Sequence, residues 1–357
     1  MRSLIVSTAS LLATFLCQEV SGCTGIVRTA QNGDVVYART LEFGEDLLSF
    51  DLLATPKGYH YQSQPHAKNG KTLGWDTKYS SIGFAPFGLP LLADGLNSAG
   101  VGCGAFYMPG WADYQAVSDE DERNAISNLD FVSWVLGNFD SVATVRTALK
   151  DTKVFGAPLA EWGFVPPLHY IVVDKSGDKA VIEYINGTMQ IHDAPLNTIT
   201  NAPSYDWHNI NARNYIGLKA LNDPSIKING SEFAQFGQGS GAIGLPGDFT
   251  PPSRFIRAAF LNQVVVPTKN GDEEAKSAFT ILNQFDIPLG AVRELHNGKE
   301  ILEETSWTSA SDLQNQKYFF HTHGNRSIRA FDLKNWIPQN SKPVTLPAAV
   351  PEVIQMV

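Results

Sequence analysis

Hydrophobic and polar positions alternate with a period of two in several short stretches, and these stretches come in pairs separated by turn residues. Cys23 to Thr29 and Asp34 to Glu42 flank Gln31-Asn32-Gly33. An Asn-Gly step favours the left-handed backbone that closes a tight turn, so this pattern predicts a β-hairpin. Asp94 to Met108 predicts a second strand pair, turning near Asn97-Ser98-Ala99-Gly100. Leu168 to Asp174 and Lys179 to Ile185 flank Lys175-Ser176-Gly177-Asp178, with Thr188 to His192 continuing the series. Tyr318 to His323 and Arg326 to Leu333 flank Gly324-Asn325 as a fourth hairpin. Between these groups the apolar spacing becomes helical. Glu122 to Phe139 places Ile126, Leu129, Val132, Trp134 and Val135 near one face. Val142 to Leu149, Pro251 to Val265 and Glu273 to Phe285 have helical spacing as well, while the Pro-rich segment from Pro338 to Val357 is expected to wrap the surface.

Strands thus arrive in antiparallel groups, with helices between groups rather than after every strand. That order argues against a parallel α/β sheet and for an α+β fold. Two stacked antiparallel sheets between helical layers satisfy it, and no linker divides residues 23–357, which read as one domain.

Residues 1–22 stand apart. A basic start at Met1-Arg2 leads into an apolar run from Leu4 to Leu16, then a short polar stretch ending in Val20-Ser21-Gly22. This is the order of a secretory signal peptide cleaved after Gly22. The apolar run is too short to span a bilayer, which takes about 20 residues, and no later segment is apolar enough. The 357 residues carry a net charge of −9, with 43% hydrophobic and 18% charged positions. Removing the leader takes away one Arg and one Glu, Arg2 and Glu19, and leaves the charge unchanged. An acidic chain of this kind is a poor partner for nucleic acid or an anionic membrane. Cleavage leaves two cysteines, Cys23 and Cys103. A disulfide between them is one reading, and a buried Cys103 in Val101-Gly102-Cys103-Gly104-Ala105 is the other.

A cysteine directly after a cleavage site has two chemical readings. Val20-Ser21-Gly22-Cys23 resembles the lipobox of bacterial lipoproteins, in which the cysteine is lipidated and tethers a binding protein. The residues after Cys23, however, run straight into a predicted strand instead of a flexible tether. The other reading puts a thiol and a free α-amine on one residue. A thiol with a free pKa of about 8.5 yields little thiolate at neutral pH, and an α-amine of pKa about 8 is a base already attached to it. Such a site also needs a cation near sulfur, an acceptor for the amine and donors for an oxyanion. Arg39 and Glu42 lie on the strand paired with the first one, but they are three positions apart. On a regular strand they face opposite sides, so only a bulge or a strand end could bring both near Cys23.

The mature chain as a whole resembles the choloylglycine hydrolase family, which includes penicillin V acylases and conjugated bile salt hydrolases. The resemblance rests on Cys23-Thr24, on Gly33 to Phe43 with Arg39-Thr40-Leu41-Glu42, and on Asp94-Gly95-Leu96-Asn97. It continues through Thr200-Asn201-Ala202-Pro203-Ser204-Tyr205-Asp206, Gly244-Leu245-Pro246-Gly247-Asp248, Ser253-Arg254-Phe255, Trp307-Thr308 to Asp312 and the final hairpin. It implies a four-layer αββα sandwich and an N-terminal-nucleophile amide hydrolase that needs no metal or cofactor. Position by position, it makes Cys23 the nucleophile and, through its amine, the base. Arg39 would sit against the sulfur, Asn201 and a backbone N–H near Tyr107 would bind the oxyanion, and Arg254 would orient the site or the substrate. Glu42 departs from the family's Asp by one methylene, which puts its contact to the amine in question.

The aromatic stretch Phe106, Tyr107, Met108, Trp111, Tyr114 offers Tyr107 and Trp111 as walls of an apolar acyl pocket, with core packing as the alternative. His321 and His323 share a strand face without a third ligand at telling spacing. Gly237-Gln238-Gly239-Ser240-Gly241 lacks the Lys of a phosphate loop, and no Gly-x-Ser-x-Gly elbow is present. The expected substrate is a small acyl amide of penicillin V or N-acyl-homoserine lactone type, with conjugated bile salts as the alternative. The expected setting is the periplasm, and the resemblance implies a homotetramer.

Overall fold

The computed structural model describes residues 22–44, 49–66, 70–296 and 298–356. The predicted leader, apart from Gly22, lies outside the described residues. Two large antiparallel sheets dominate. The first has the strand order Thr198–Ile199, Gly25–Thr29, Val35–Gly44, Lys299–Asp312, Lys317–Thr322, Asn325–Asp332, with Arg293–His296 pairing on the start of the long strand. The second runs Thr188–His192, Lys179–Ile185, Leu168–Asp174, Val101–Tyr107, Asp94–Asn97, Ser81–Pro86, Phe50–Thr55, Val344–Leu346.

The central strand Val35–Gly44 is buried along nearly its whole length because both of its faces are covered. Its odd positions, Val35, Tyr37, Leu41 and Phe43, pack between the sheets with Phe84, Phe106 and Trp307. Its even positions, Val36 and Ala38, meet the helices Pro251–Val264 and Gly271–Leu282 through Ala258, Ala275 and Ala278. Small residues on both sides of that contact let the helices lie close to the sheet. On the outer face of the second sheet, Phe131–Asn138 and Val142–Ala148 bury Val132, Trp134, Val135 and Val145. The result is four layers, α-β-β-α, held by one core between the sheets and one under each helical layer. Gly104 marks how tightly the sheets approach, since a Cβ there would lie 2.1 Å from the Tyr37 hydroxyl.

All four predicted hairpins form, and Gly33 takes the left-handed backbone (φ +91°) that the first turn requires. The helix predicted over Glu122 to Phe139 is shorter. Ala125–Ser127 leaves it to pair in parallel with Lys153–Phe155, and the helix proper is Phe131–Asn138. Asp130 drives the break, its carboxylate accepting from the hydroxyls of Ser63 (2.8 Å) and Ser127 (2.6 Å) just ahead of the helix. The C-terminal segment also differs from the expected surface wrap, because Val344–Leu346 adds an edge strand beside Phe50–Thr55.

Candidate active site

Cys23 stands immediately before the strand Gly25–Thr29, at the end of the sheet where Val35–Gly44 and Thr198–Ile199 flank it. It is a free thiol, 3% exposed, and Cys103 is a separate free thiol with no exposure at all. The disulfide reading is therefore set aside. Gly22 is still joined to Cys23, so the Cys23 nitrogen is a peptide N–H occupying the place of the α-amine that cleavage would release. That N–H donates to the side-chain oxygen of Asn201 at 2.8 Å. Burial pushes the thiol pKa up, and the nearby guanidinium of Arg39 is the largest influence opposing it.

Arg39 and Glu42 do face opposite sides of their strand, and the site uses both sides. Arg39 points between the sheets, fully buried, its guanidinium 4.0 Å above the Phe106 ring. It donates to the carbonyls of Ala105 (2.5 Å) and Ala93 (3.4 Å), and its Nη2 is left without a hydrogen-bond partner. Glu42 lies on the helix side, at the end of the strand, where its N–H donates to the Gly22 carbonyl at 2.7 Å. Its Oε1 accepts from Thr305 at 3.4 Å, while Oε2 is buried without a partner and lies 3.4 Å from where a Gly22 Cβ would stand. Burial pushes the Glu42 pKa up to about 7 against the pull of Arg254. Register places Glu303 diagonally across from Glu42 on the same face. Its pKa rises to about 8, through burial and then the charge of Glu42. Sequence reasoning missed Glu303, which lies in no recognisable motif.

Arg254, on the first turn of Pro251–Val264, gathers the other parts. Its Nη1 donates to the Cys23 carbonyl (2.6 Å) and the Thr24 hydroxyl (3.0 Å), and its Nη2 to the Asn201 oxygen (2.6 Å). With two donors on its oxygen, the Asn201 carboxamide turns its nitrogen to the Tyr107 carbonyl at 2.7 Å. The Tyr107 backbone N–H supports the Cys23 thiolate. Cys23, Arg39, Glu42, Tyr107, Asn201 and Arg254 are thus brought together from five separate stretches of chain.

The thiol opens into an apolar cleft with an empty volume of 710 Å³, part of it open to solvent. Leu41, Phe43, Leu92, Val132, Trp162 and Leu168 are among its walls. Trp162 stacks between Phe43 (5.3 Å) and Phe164 (5.4 Å). Trp111 does not line this cleft and is 41% exposed, whereas Tyr107 does line it. Trp162, unremarked in the sequence, stands where Trp111 was expected. No helix among the described residues is long and apolar enough to cross a membrane, and none of their His, Cys, Asp and Glu side chains group in threes to hold a metal.

The fold has known counterparts. The model of the family described as linear amide C–N hydrolases, choloylglycine hydrolase family, matches residues 23–344. A bile salt hydrolase/transferase of Clostridium perfringens is 30% identical over 313 residues, 87% of this chain and 92% of that protein. A penicillin V acylase of Pectobacterium atrosepticum is 25% identical over 297 residues, 77% of this chain and 72% of that protein. Among solved structures, a variant of the conjugated bile acid hydrolase of Clostridium perfringens superimposes with a TM-score of 0.82 at 28% identity. It covers 94% of this chain and 100% of its own.

Proposed function

The chain belongs to the choloylglycine hydrolase family of linear amide C–N hydrolases, and from that premise we propose that it is an exported N-terminal cysteine amidase acting on small amides with an apolar acyl group. The observation that carries this reading is the Cys23 thiol on an apolar cleft, with Arg39 close by and Asn201 on its backbone nitrogen. Cleavage after Gly22 frees the α-amine, which keeps Asn201 as acceptor and gains the unpartnered Oε2 of Glu42. The amine takes the thiol proton and the thiolate attacks the amide carbonyl. Asn201 Nδ2 and the Tyr107 N–H stabilise the oxyanion. As the C–N bond breaks, the α-ammonium gives its proton to the leaving amine. Water, losing a proton to the Cys23 α-amine, then resolves the thioester, and the α-ammonium returns that proton to the departing thiolate.

The cleft supports phenoxyacetyl amides of penicillin V type or N-acyl-homoserine lactones over conjugated bile salts. Asn128 is a polar side chain on its wall, but it already bonds the Pro166 carbonyl (2.9 Å) and the Ala157 N–H (2.8 Å). It has little left to offer steroid hydroxyls, whose burial without partners is costly. A Cys23-lipidated lipoprotein fits poorly, because a residue 3% exposed and followed by a buried strand is not the exposed, flexible tether that a lipid anchor uses. Export to the periplasm rests on the leader. A homotetramer has support in the arm around Ile226–Ile228 and Ser231–Phe233, which exposes Ile216, Leu221, Ile228, Phe233 and Phe236.

The test is intact mass of the exported protein together with acid release from penicillin V, an acyl-homoserine lactone and a glycine-conjugated bile salt. Mature chain starting at unmodified Cys23, with the first or second substrate cleaved and Cys23→Ser inactive, supports the reading. Cleavage of the bile salt alone overturns the substrate class, and a lipid adduct on Cys23 overturns the mechanism.

A further inference from the structure

Behind Asn201 lies a buried cluster that the mechanism above leaves unused. His169 and Glu183 stand opposite each other, continuing the register that pairs Tyr170 with Ile182, and both side chains point between the sheets. His169 Nδ1 is 3.1 Å from Glu183 Oε1, and its Nε2 is 3.0 Å from the carbonyl oxygen of Thr200, the residue before Asn201. The carbonyl can only accept. The carboxylate is held ionised, since it also accepts from the Tyr205 N–H at 3.0 and 3.1 Å. Both ring nitrogens of His169 thus face acceptors, and the ring bridges the Glu183 carboxylate to the Thr200 carbonyl.

The same carboxylate has a second histidine beside it. His192 Nε2 lies 3.3 Å from Glu183 Oε2, and its Nδ1 lies 3.3 Å from Asp206. His208 closes the turn from the other side, its Nε2 donating to the Asn201 carbonyl at 3.0 Å while its ring stacks on Phe255 at 4.5 Å. The backbone on both sides of the Asn201 side chain is thus tied to buried imidazoles. Glu183 holds the start of the next helix through Tyr205. Charged and titratable groups facing the cluster are Asp193, Asp206, His208 and Arg254.

We propose that Glu183 and His169 are positioning residues for the oxyanion donor, the Glu183-bound imidazole ring fixing the Thr200–Asn201 turn so that the Asn201 carboxamide is set before substrate arrives. The inference rests on Asn201 serving as oxyanion donor in the amidase reading. An oxyanion donor contributes to the transition state and little to the ground state, so disturbing its support lowers kcat and spares KM. Hydrogen-bond partners that hold a catalytic group matter through sub-ångström placement. Glu183 itself, held down to about 2 despite its burial by hydrogen bonds from His169 and His192, stays ionised across the range.

The experiment is steady-state hydrolysis of a phenoxyacetyl p-nitroanilide by the mature enzyme from pH 5 to 9. It compares wild type with Glu183→Gln, His169→Gln, His169→Ala and Asn201→Ala, alongside the rate of iodoacetamide alkylation at Cys23. For Glu183→Gln the expected result is a kcat loss of roughly tenfold, short of the 100- to 1,000-fold from deleting an oxyanion donor. KM and alkylation rate stay unchanged. His169→Gln keeps one donor for the Thr200 carbonyl, so it is expected to retain kcat within about threefold of wild type, whereas His169→Ala removes that donor and is expected to lose kcat roughly tenfold. This pair carries the test alone if Glu183→Gln does not fold. Wild-type kcat in His169→Ala, or a loss that appears equally in KM and alkylation, overturns the positioning role. Full activity in Asn201→Ala, or no hydrolysis and no alkylation in wild type, would instead remove the amidase reading beneath it.

Discussion

At the residue scale the chemistry turns on how a thiol buried to 3% exposure is made to ionise. Burial raises its pKa and Arg39 opposes that rise more than any other group. Arg39→Met removes the cation while keeping most of the packing against Phe106. An opposite charge within a few ångströms is worth about 1–3 pKa units, so Cys23 alkylation at pH 7 is expected to slow by between about 10- and 1,000-fold. Its pH profile would move upward, with Arg39→Lys in between. Equal alkylation profiles in wild type and Arg39→Met would remove Arg39 from this role. Glu42 was legible as a carboxylate on the wrong face for the sulfur. The wrong face proves useful: sulfur goes to the inter-sheet side with Arg39, and Glu42 stands on the helix side by the Gly22–Cys23 peptide. Glu42→Asp is expected to keep at least a tenth of kcat, because both carboxylates accept from one amine, while Glu42→Gln is expected to lose more, in proportion to the lost charge. Release assays on the mature chain decide between these outcomes.

At the element scale, strands were legible because alternation and turn residues are local signals. Lys175-Ser176-Gly177-Asp178 fixes the register of its hairpin, and with it the facing pair His169 and Glu183. That pair could have been found by extending the register four residues beyond the turn-proximal pair Val173–Lys179. Helix Phe131–Asn138 was overextended because the apolar spacing continues through Ala125–Ser127, where pairing with Lys153–Phe155 overrides it. The apolar cleft was illegible for a different reason: its walls come from Leu41, Leu92, Val132 and Trp162, which no local pattern links. Trp162 sits on a tight loop closed by Leu159 and Phe164, whose N–H and carbonyl meet at 3.0 Å, and its ring is stacked on both sides. Trp162→Ala opens the cleft at that wall. The expected effect is a gain of roughly tenfold in kcat/KM for acyl chains longer than the wild-type optimum relative to that optimum. A series of acyl lactones of increasing chain length measures it, and an unchanged chain-length preference would exclude Trp162 as the gauge.

At the scale of the whole molecule, the site burdens the fold with acidic side chains out of reach of water. Glu42 and Glu303 titrate at about 7 and about 8, both above the 4.5 of a free glutamate. A carboxyl whose folded pKa is raised favours the native state when protonated. Its stabilising contribution is therefore complete below pH 4.5 and is lost as pH rises through 7 and 8. With a net charge of −9 adding self-repulsion over the same interval, stability of the Gly22-extended chain is expected to fall from pH 5 to pH 8. Glu303→Gln mimics the protonated form. It should leave the melting temperature at pH 5 nearly unchanged and raise stability at pH 8 by on the order of 3 kcal/mol. Removal of residues 1–22 places an α-ammonium beside Glu42, supplying a buried cation in place of a peptide bond. The mature chain is then expected to lose less stability between pH 5 and pH 8 than the extended one, and Glu303→Gln to gain less in it. Thermal unfolding of the four proteins at the two pH values measures both differences. Identical pH slopes for the extended and mature chains would show that Glu42 does not face the new amine, and would take away its part in orienting the base.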